Sequence, residues 1–135
     1  MNHTEEIGQQ FYQSLGKLFY AIAMADKNVR PSEVNRLRED VRAYWLELDE
    51  LVDEFGSDAA FQIEIVFDWL EKEEKDGAAY YKEFADFYKE HREKFSEEIK
   101  SLIVQTCNDI AASFAGKNKS ELILLARLQT LFDAY

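Results

Sequence analysis

The sequence predicts an all-α fold: a single-domain bundle of about six helices spanning residues 1–135, with two similar helix-turn-helix hairpins at its ends. Three observations lead there. Apolar residues recur at spacings of three and four along most of the chain, one proline and five glycines leave little turn material for a β-sandwich, and cap and break signals divide the sequence into helix-length segments. A chain of this size buries roughly two-thirds of its unfolded surface. With 47% hydrophobic and 14% aromatic residues it is far richer in core material than a disordered acidic chain.

Thr4 can cap a first helix with Glu5 and Glu6 in its first turn, and Ile7, Phe11, Leu15, Leu18, Ile22 and Ala25 form its apolar seam. Residues 26–30, DKNVR, interrupt the pattern, and Pro31 suits the first turn of a second helix. Val34, Leu37, Val41, Tyr44, Leu48, Leu51 and Phe55 then alternate spacings of three and four up to Gly56, with Trp45, Leu46 and Val52 widening the face. Ser57 and Asp58 can cap a third helix whose segment 59–70, AAFQIEIVFDWL, is apolar almost all round and is expected to be central. Glu64, Asp68, Glu71, Lys72 and Lys75 form its polar stripe. Phe61, Ile63, Ile65 and Phe67 also alternate as a strand would, but a lone strand without a partner is not viable.

Asp76-Gly77 reads as a stop, after which Tyr81, Phe84, Tyr88, His91 and Phe95 line up as a fourth seam. Ser96 with Glu97 and Glu98 opens a fifth helix through Ile99, Ile103, Cys107, Ile110 and Phe114. Gly116-Lys117-Asn118 breaks the chain again. Asn118 and Glu121 have capping-box spacing, and Leu122, Leu125, Leu128 and Phe132 follow as a sixth seam.

The net charge of -11 lies in the middle, since residues 38–100 hold 20 Asp/Glu against 9 Lys/Arg while the rest holds 7 of each. Such a field repels nucleic acid and attracts basic proteins or cations, and it equally suits a solvated helical surface. The single cysteine, Cys107, rules out an intramolecular disulfide and fits a reducing compartment. Residues 1–8 lack the features of a signal peptide, and no apolar run approaches the ~20 residues needed to span a bilayer. A cytoplasmic protein with no membrane role is expected. Tyr80, Tyr81, Phe84, Phe87 and Tyr88 cover more of a helix than one seam needs, which fits core packing or a protein-binding or self-associating surface.

Sliding the chain by 88 positions sets Ile22-Ala23 on Ile110-Ala111, Ser32-Glu33 on Ser120-Glu121 and Leu37 on Leu125, so two similar hairpins bracket the middle. The first, Ala23-Met24-Ala25-Asp26-Lys27-Asn28-Val29-Arg30-Pro31-Ser32-Glu33-Val34-Asn35-Arg36-Leu37, resembles the signature of the TerB-like family of tellurite-resistance-associated helical domains. In that pattern an Ala-rich helix ends in Asp-Gly, followed by an apolar residue and a helix with an early Glu and a later Leu. Asp26, Val29, Glu33 and Leu37 match it; Lys27 or Asn28 stands where the family has Gly. In the second hairpin Phe114 occupies the place equivalent to Asp26, and Glu121 alone remains of the acids.

The resemblance implies a non-enzymatic module in a stress or tellurite-resistance context, with Asp26, Glu33 and Glu121 as candidate ligands of a divalent cation, calcium or magnesium. Read from the residues alone, Glu33 can instead complement the positive end of its helix while Asp26 bonds loop amides. An EF-hand is excluded because Pro31 and Leu37 stand where its Gly and Glu belong. Neither His3 nor His91 has a Glu three residues before it, which removes a di-iron bundle, and two histidines are too few for a zinc site. No nucleophile elbow or phosphate loop occurs, so no enzyme and no other cofactor is expected. The alternative is an acidic interaction module of inhibitor or immunity type, binding a basic partner through residues 38–100.

Overall fold

A computed structural model describes residues 3–47, 59–113 and 119–134, the side chains of 3–7 and 59 excepted; these residues form six α-helices and no strand. The helices are α1 (His3–Ala23), α2 (Pro31–Asp40), α3 (Gln62–Lys72), α4 (Gly77–Glu90), α5 (Glu97–Ala112) and α6 (Lys119–Ala134). The all-α bundle expected from the sequence is what forms. The continuation of the second helix through Leu48, Leu51, Val52 and Phe55, the punctuation at Gly56, Ser57 and Asp58, and Phe114 and Asn118 lie outside the described residues.

The central element is α1, not the segment 59–70. Leu15, Leu18, Phe19, Tyr20, Ala21, Ile22 and Ala23 are buried around the whole circumference of the helix. A helix apolar on all sides must be enclosed, and α3, α4 and α5 supply the main walls. In α3, by contrast, Ile65 and Trp69 are exposed by 56% and 52%, while Ile63, Phe67 and Leu70 face inward together with Glu64. The expected polar stripe is thereby broken. Glu64 turns inward because Arg38 of α2 donates to its Oε1 at 2.8 Å, and the same guanidinium reaches Asp68 at 2.9 Å.

After Asp40 the chain makes a π-helical turn, Val41–Trp45, in which the Leu46 amide donates to the Val41 carbonyl. The wider turn advances each residue by a smaller angle than an α-helix does. Trp45 therefore stays under Val41, fully buried with its indole N–H donating to Thr106 Oγ1 at 3.0 Å. Tyr44, expected in the seam, swings out to 42% exposure.

Asp76 is the N-cap of α4, accepting from the Ala78 amide, so the stop signal also opens the next helix. That helix ends at Glu90, and His91 and Phe95 lie beyond it rather than in its seam. The break, with a 3-10 turn at Arg92–Lys94, lets Phe95 fold back among Phe11, Phe84, Phe87 and Tyr88 at centroid distances of 5.0–6.2 Å. Tyr81, Phe84 and Tyr88 are buried, and Tyr80 and Phe87 are half-buried, so the aromatic excess of α4 goes mainly into the core. Ser96 caps α5 by accepting from the Ile99 amide at 3.2 Å. In α6 the buried line is Glu121, Leu124, Leu128 and Leu131 with Phe132; Leu122, expected in the seam, is half exposed because the buried Glu121 sets the inward face.

Gly16 marks the closest approach of α1 to α3: a Cβ there would sit 2.7 Å from the Ile63 carbonyl oxygen and 3.0 Å from Val66 Cβ. Gly16→Ala gains about 1 kcal/mol of helix propensity but forces the backbones apart at a cost of about 1–3 kcal/mol. Urea unfolding is expected to show a net loss, whereas a more stable variant would place α3 farther from α1.

Candidate functional site

The turn between α1 and α2 is built around Asp26. Its Oδ1 accepts from the Asn28 amide at 3.2 Å and its Oδ2 accepts from Arg30 Nη1 at 2.8 Å. Lys27, which follows Asp26, has φ 68°, the left-handed conformation in which glycine is usual. Arg30 precedes the Pro31 that starts α2, and its backbone N–H donates to Glu33 Oε1 at 2.8 Å. Glu33 thus reaches back over the first turn of its own helix and satisfies an amide there, with its side chain otherwise turned into the protein.

Glu33 and Glu121 are buried, at 1% and 2% exposure, each in the first turn of its helix. Their carboxyl groups face each other at close range. The two positions related by the internal repeat therefore meet. Arg30 Nη1 also stands 4.0 Å from Glu33 Oε1. Burial first, then the bond to Glu121 and the charges of Glu121 and Asp26, push the Glu33 carboxyl up to about 8, against the opposing hydrogen bond from the Arg30 amide. A proton on Glu33 can join the two groups, since two ionised carboxylates can only repel there.

All three acids singled out from the sequence therefore gather at one place, but not as a ready cation cage. Arg30 takes one oxygen of Asp26. Among the described residues no group of three or more His, Cys, Asp or Glu side chains is arranged to hold a metal ion. Arg30 is the member the sequence reading missed. Its signal was its place four residues after Asp26 and three before Glu33, within reach of both.

A second buried carboxyl pair was also missed. Asp40, 2% exposed at the end of α2, faces Asp109 of α5, and Arg36 bridges them at 3.2 Å to each. Burial, the bond to Asp109 and its charge raise the Asp40 carboxyl to about 7 in spite of Arg36. Of the other residues considered, Cys107 is buried and its thiol is pushed well up by burial alone, as for a core residue. His91 is half-buried against the Phe87 ring at 4.4 Å. No helix among the described residues is long and apolar enough to cross a membrane.

Compared with protein-family models, curated proteins and solved structures, the chain matches none of them.

Both carboxyl pairs give stability a definite pH dependence. The folded values of Glu33 and Asp40 lie above the ordinary 4.5 and 3.8, so the folded chain keeps protons that the unfolded chain has released. Their contribution is complete below those ordinary values and is lost as pH climbs through about 7 for Asp40 and about 8 for Glu33. The urea midpoint is expected to fall across this window. Asp40→Asn should flatten the lower part of the fall and Glu33→Gln the upper part; variants with unchanged profiles would show that these carboxyls do not carry the protons.

Proposed function

We propose that the protein is a non-enzymatic, TerB-like helical module that works by binding, with the junction of its two hairpins as a site for a divalent cation. The observation that supports this reading is the meeting of Glu33 and Glu121, from corresponding positions of the two hairpins, beside Asp26. Glu33 holds its proton up to about 8, and Arg30 pairs with Asp26. A hard cation such as calcium or magnesium prefers oxygen ligands. It would take the place of the Glu33 proton and draw Asp26 away from Arg30, with water completing its shell.

Proton and cation then compete for the same oxygens. Calcium or magnesium is expected to raise the melting temperature clearly at about pH 8.5 and little at about pH 6, where the proton holds the pair. Asp26→Asn combined with Glu33→Gln should abolish the rise. An ion effect that is absent at both pH values, or that survives in the double variant, overturns the reading.

A second reading, an acidic module that binds a basic protein through residues 38–100, is favoured by the exposed Ile65 and Trp69. They lie four residues apart on one face of α3, within the acidic middle of the chain, and offer apolar anchors. Binding of poly-lysine that weakens steeply with salt and weakens again in Trp69→Ala is the expected outcome. Salt-insensitive binding would remove this reading.

A further inference from the structure

A cleft of about 510 Å³ lies between the end of α1, the α3–α4 turn and the start of α6. Its floor and walls include Met24, Leu124 and Ile123, and Lys27, Lys75 and Arg127 stand around it. Each cation comes from a different element. None of the three makes an ion pair with a carboxylate among the described residues, although the chain carries 27 acids; Lys75 and Arg127 lie over the Trp69 and Tyr81 rings instead. Two carboxylates also border the cleft, Glu74 and Asp76, but Asp76 is engaged with the Ala78 amide as the cap of α4.

The backbone around the cleft supplies a second, independent observation. Among the described residues the only non-glycine positions with positive φ are Lys27 at 68° and Glu74 at 51°, and both line this cleft. Such conformations are costly for side-chain-bearing residues and gather where a ligand is clamped. The turn that carries Glu74 is fixed from below, because Tyr20 Oη donates to the Lys75 carbonyl at 2.6 Å and the Lys75 amide donates to the Leu70 carbonyl at 3.1 Å. The rim is therefore held in place before any ligand arrives.

We propose that this cleft binds a small organic anion with an apolar body, its charge held by Lys27, Lys75 and Arg127 and its body against Met24, Ile123 and Leu124. The apolar walls favour a carboxylate on a short hydrocarbon chain over an inorganic anion. Lysine at position 27 keeps a cation on the rim at the expense of backbone strain that glycine would relieve.

Octanoate is the probe, with octanol as its uncharged counterpart, each titrated by calorimetry against the whole chain. Saturable octanoate binding is expected, at least about tenfold tighter than octanol, as for a charge-assisted contact. Arg127→Gln and Lys75→Gln should each weaken it several-fold, and Glu74→Gln, which removes a like charge, should tighten it. Lys27→Gly separates function from fold: it should weaken octanoate while leaving the melting temperature equal or higher by roughly 2–6 °C. Absence of saturable octanoate binding, octanol binding as tightly as octanoate, or undiminished binding in Lys27→Gly and Arg127→Gln would each overturn the proposal.

Discussion

Burial of α1 on every side is the constraint on which the other helices depend. Its second half has no polar face to give to water, so the remaining helices have to close around it. The closure is tight where side chains are small. Gly16 lets α3 approach, and at Gly77 a Cβ would lie 3.3 Å from both Ala21 Cα and Met24 Cβ, which brings the start of α4 against the end of α1. Tyr20 then ties the intervening turn to α1 through its hydroxyl. The position of the α3–α4 turn, and so of the cleft beside it, follows from the packing of α1.

The second helix is held by a different physics. It sends Glu33 toward α6, Arg36 and Asp40 toward α5, and Arg38 toward Glu64 of α3. Taking these groups out of water is costly, and well-packed apolar residues could be as stable. What the charged arrangement adds is orientation. A slip of one residue turns an α-helix by about 100°, which would carry Glu33 and Asp40 away from Glu121 and Asp109 together. The π-helical turn that follows continues this fixed orientation and delivers Trp45 to Thr106.

The existence and order of the helices were legible in the sequence because spacing and caps such as Ser96 are local signals. Which helix is central was not. The segment 59–70 has the more continuous apolar run, but the burial of Glu64 rests on Arg38, 26 residues away, and no local pattern contains that pairing. The same limit explains the exposure of Tyr44, since a π-helical turn shifts the face without changing composition. At the candidate site the resemblance pointed to Asp26 and Glu33 and, less strongly, to Glu121, and these lie together. Arg30 and the pair Asp40–Asp109 were not found, because an acid on a helix reads as solvated until its neighbour across the bundle is known.

The hairpins are alike in their glutamates and unlike in what surrounds them, and that asymmetry governs the chemistry of the junction. Glu33 and Glu121 occupy equivalent places, but only the first hairpin brings an acid and a guanidinium, Asp26 and Arg30. Arg30 pairs with Asp26, while burial and the neighbouring acids hold a proton on Glu33 up to about 8. Loss of the Glu33 proton adds a negative charge inside a buried cluster, where repulsion is screened far less than at the surface. The cation proposed for the junction would therefore be favoured once that proton has gone. On the proposed cation reading, proton loss at Glu33 and cation uptake are two sides of one equilibrium, and a pH change would alter the affinity of the junction without requiring any helix to move.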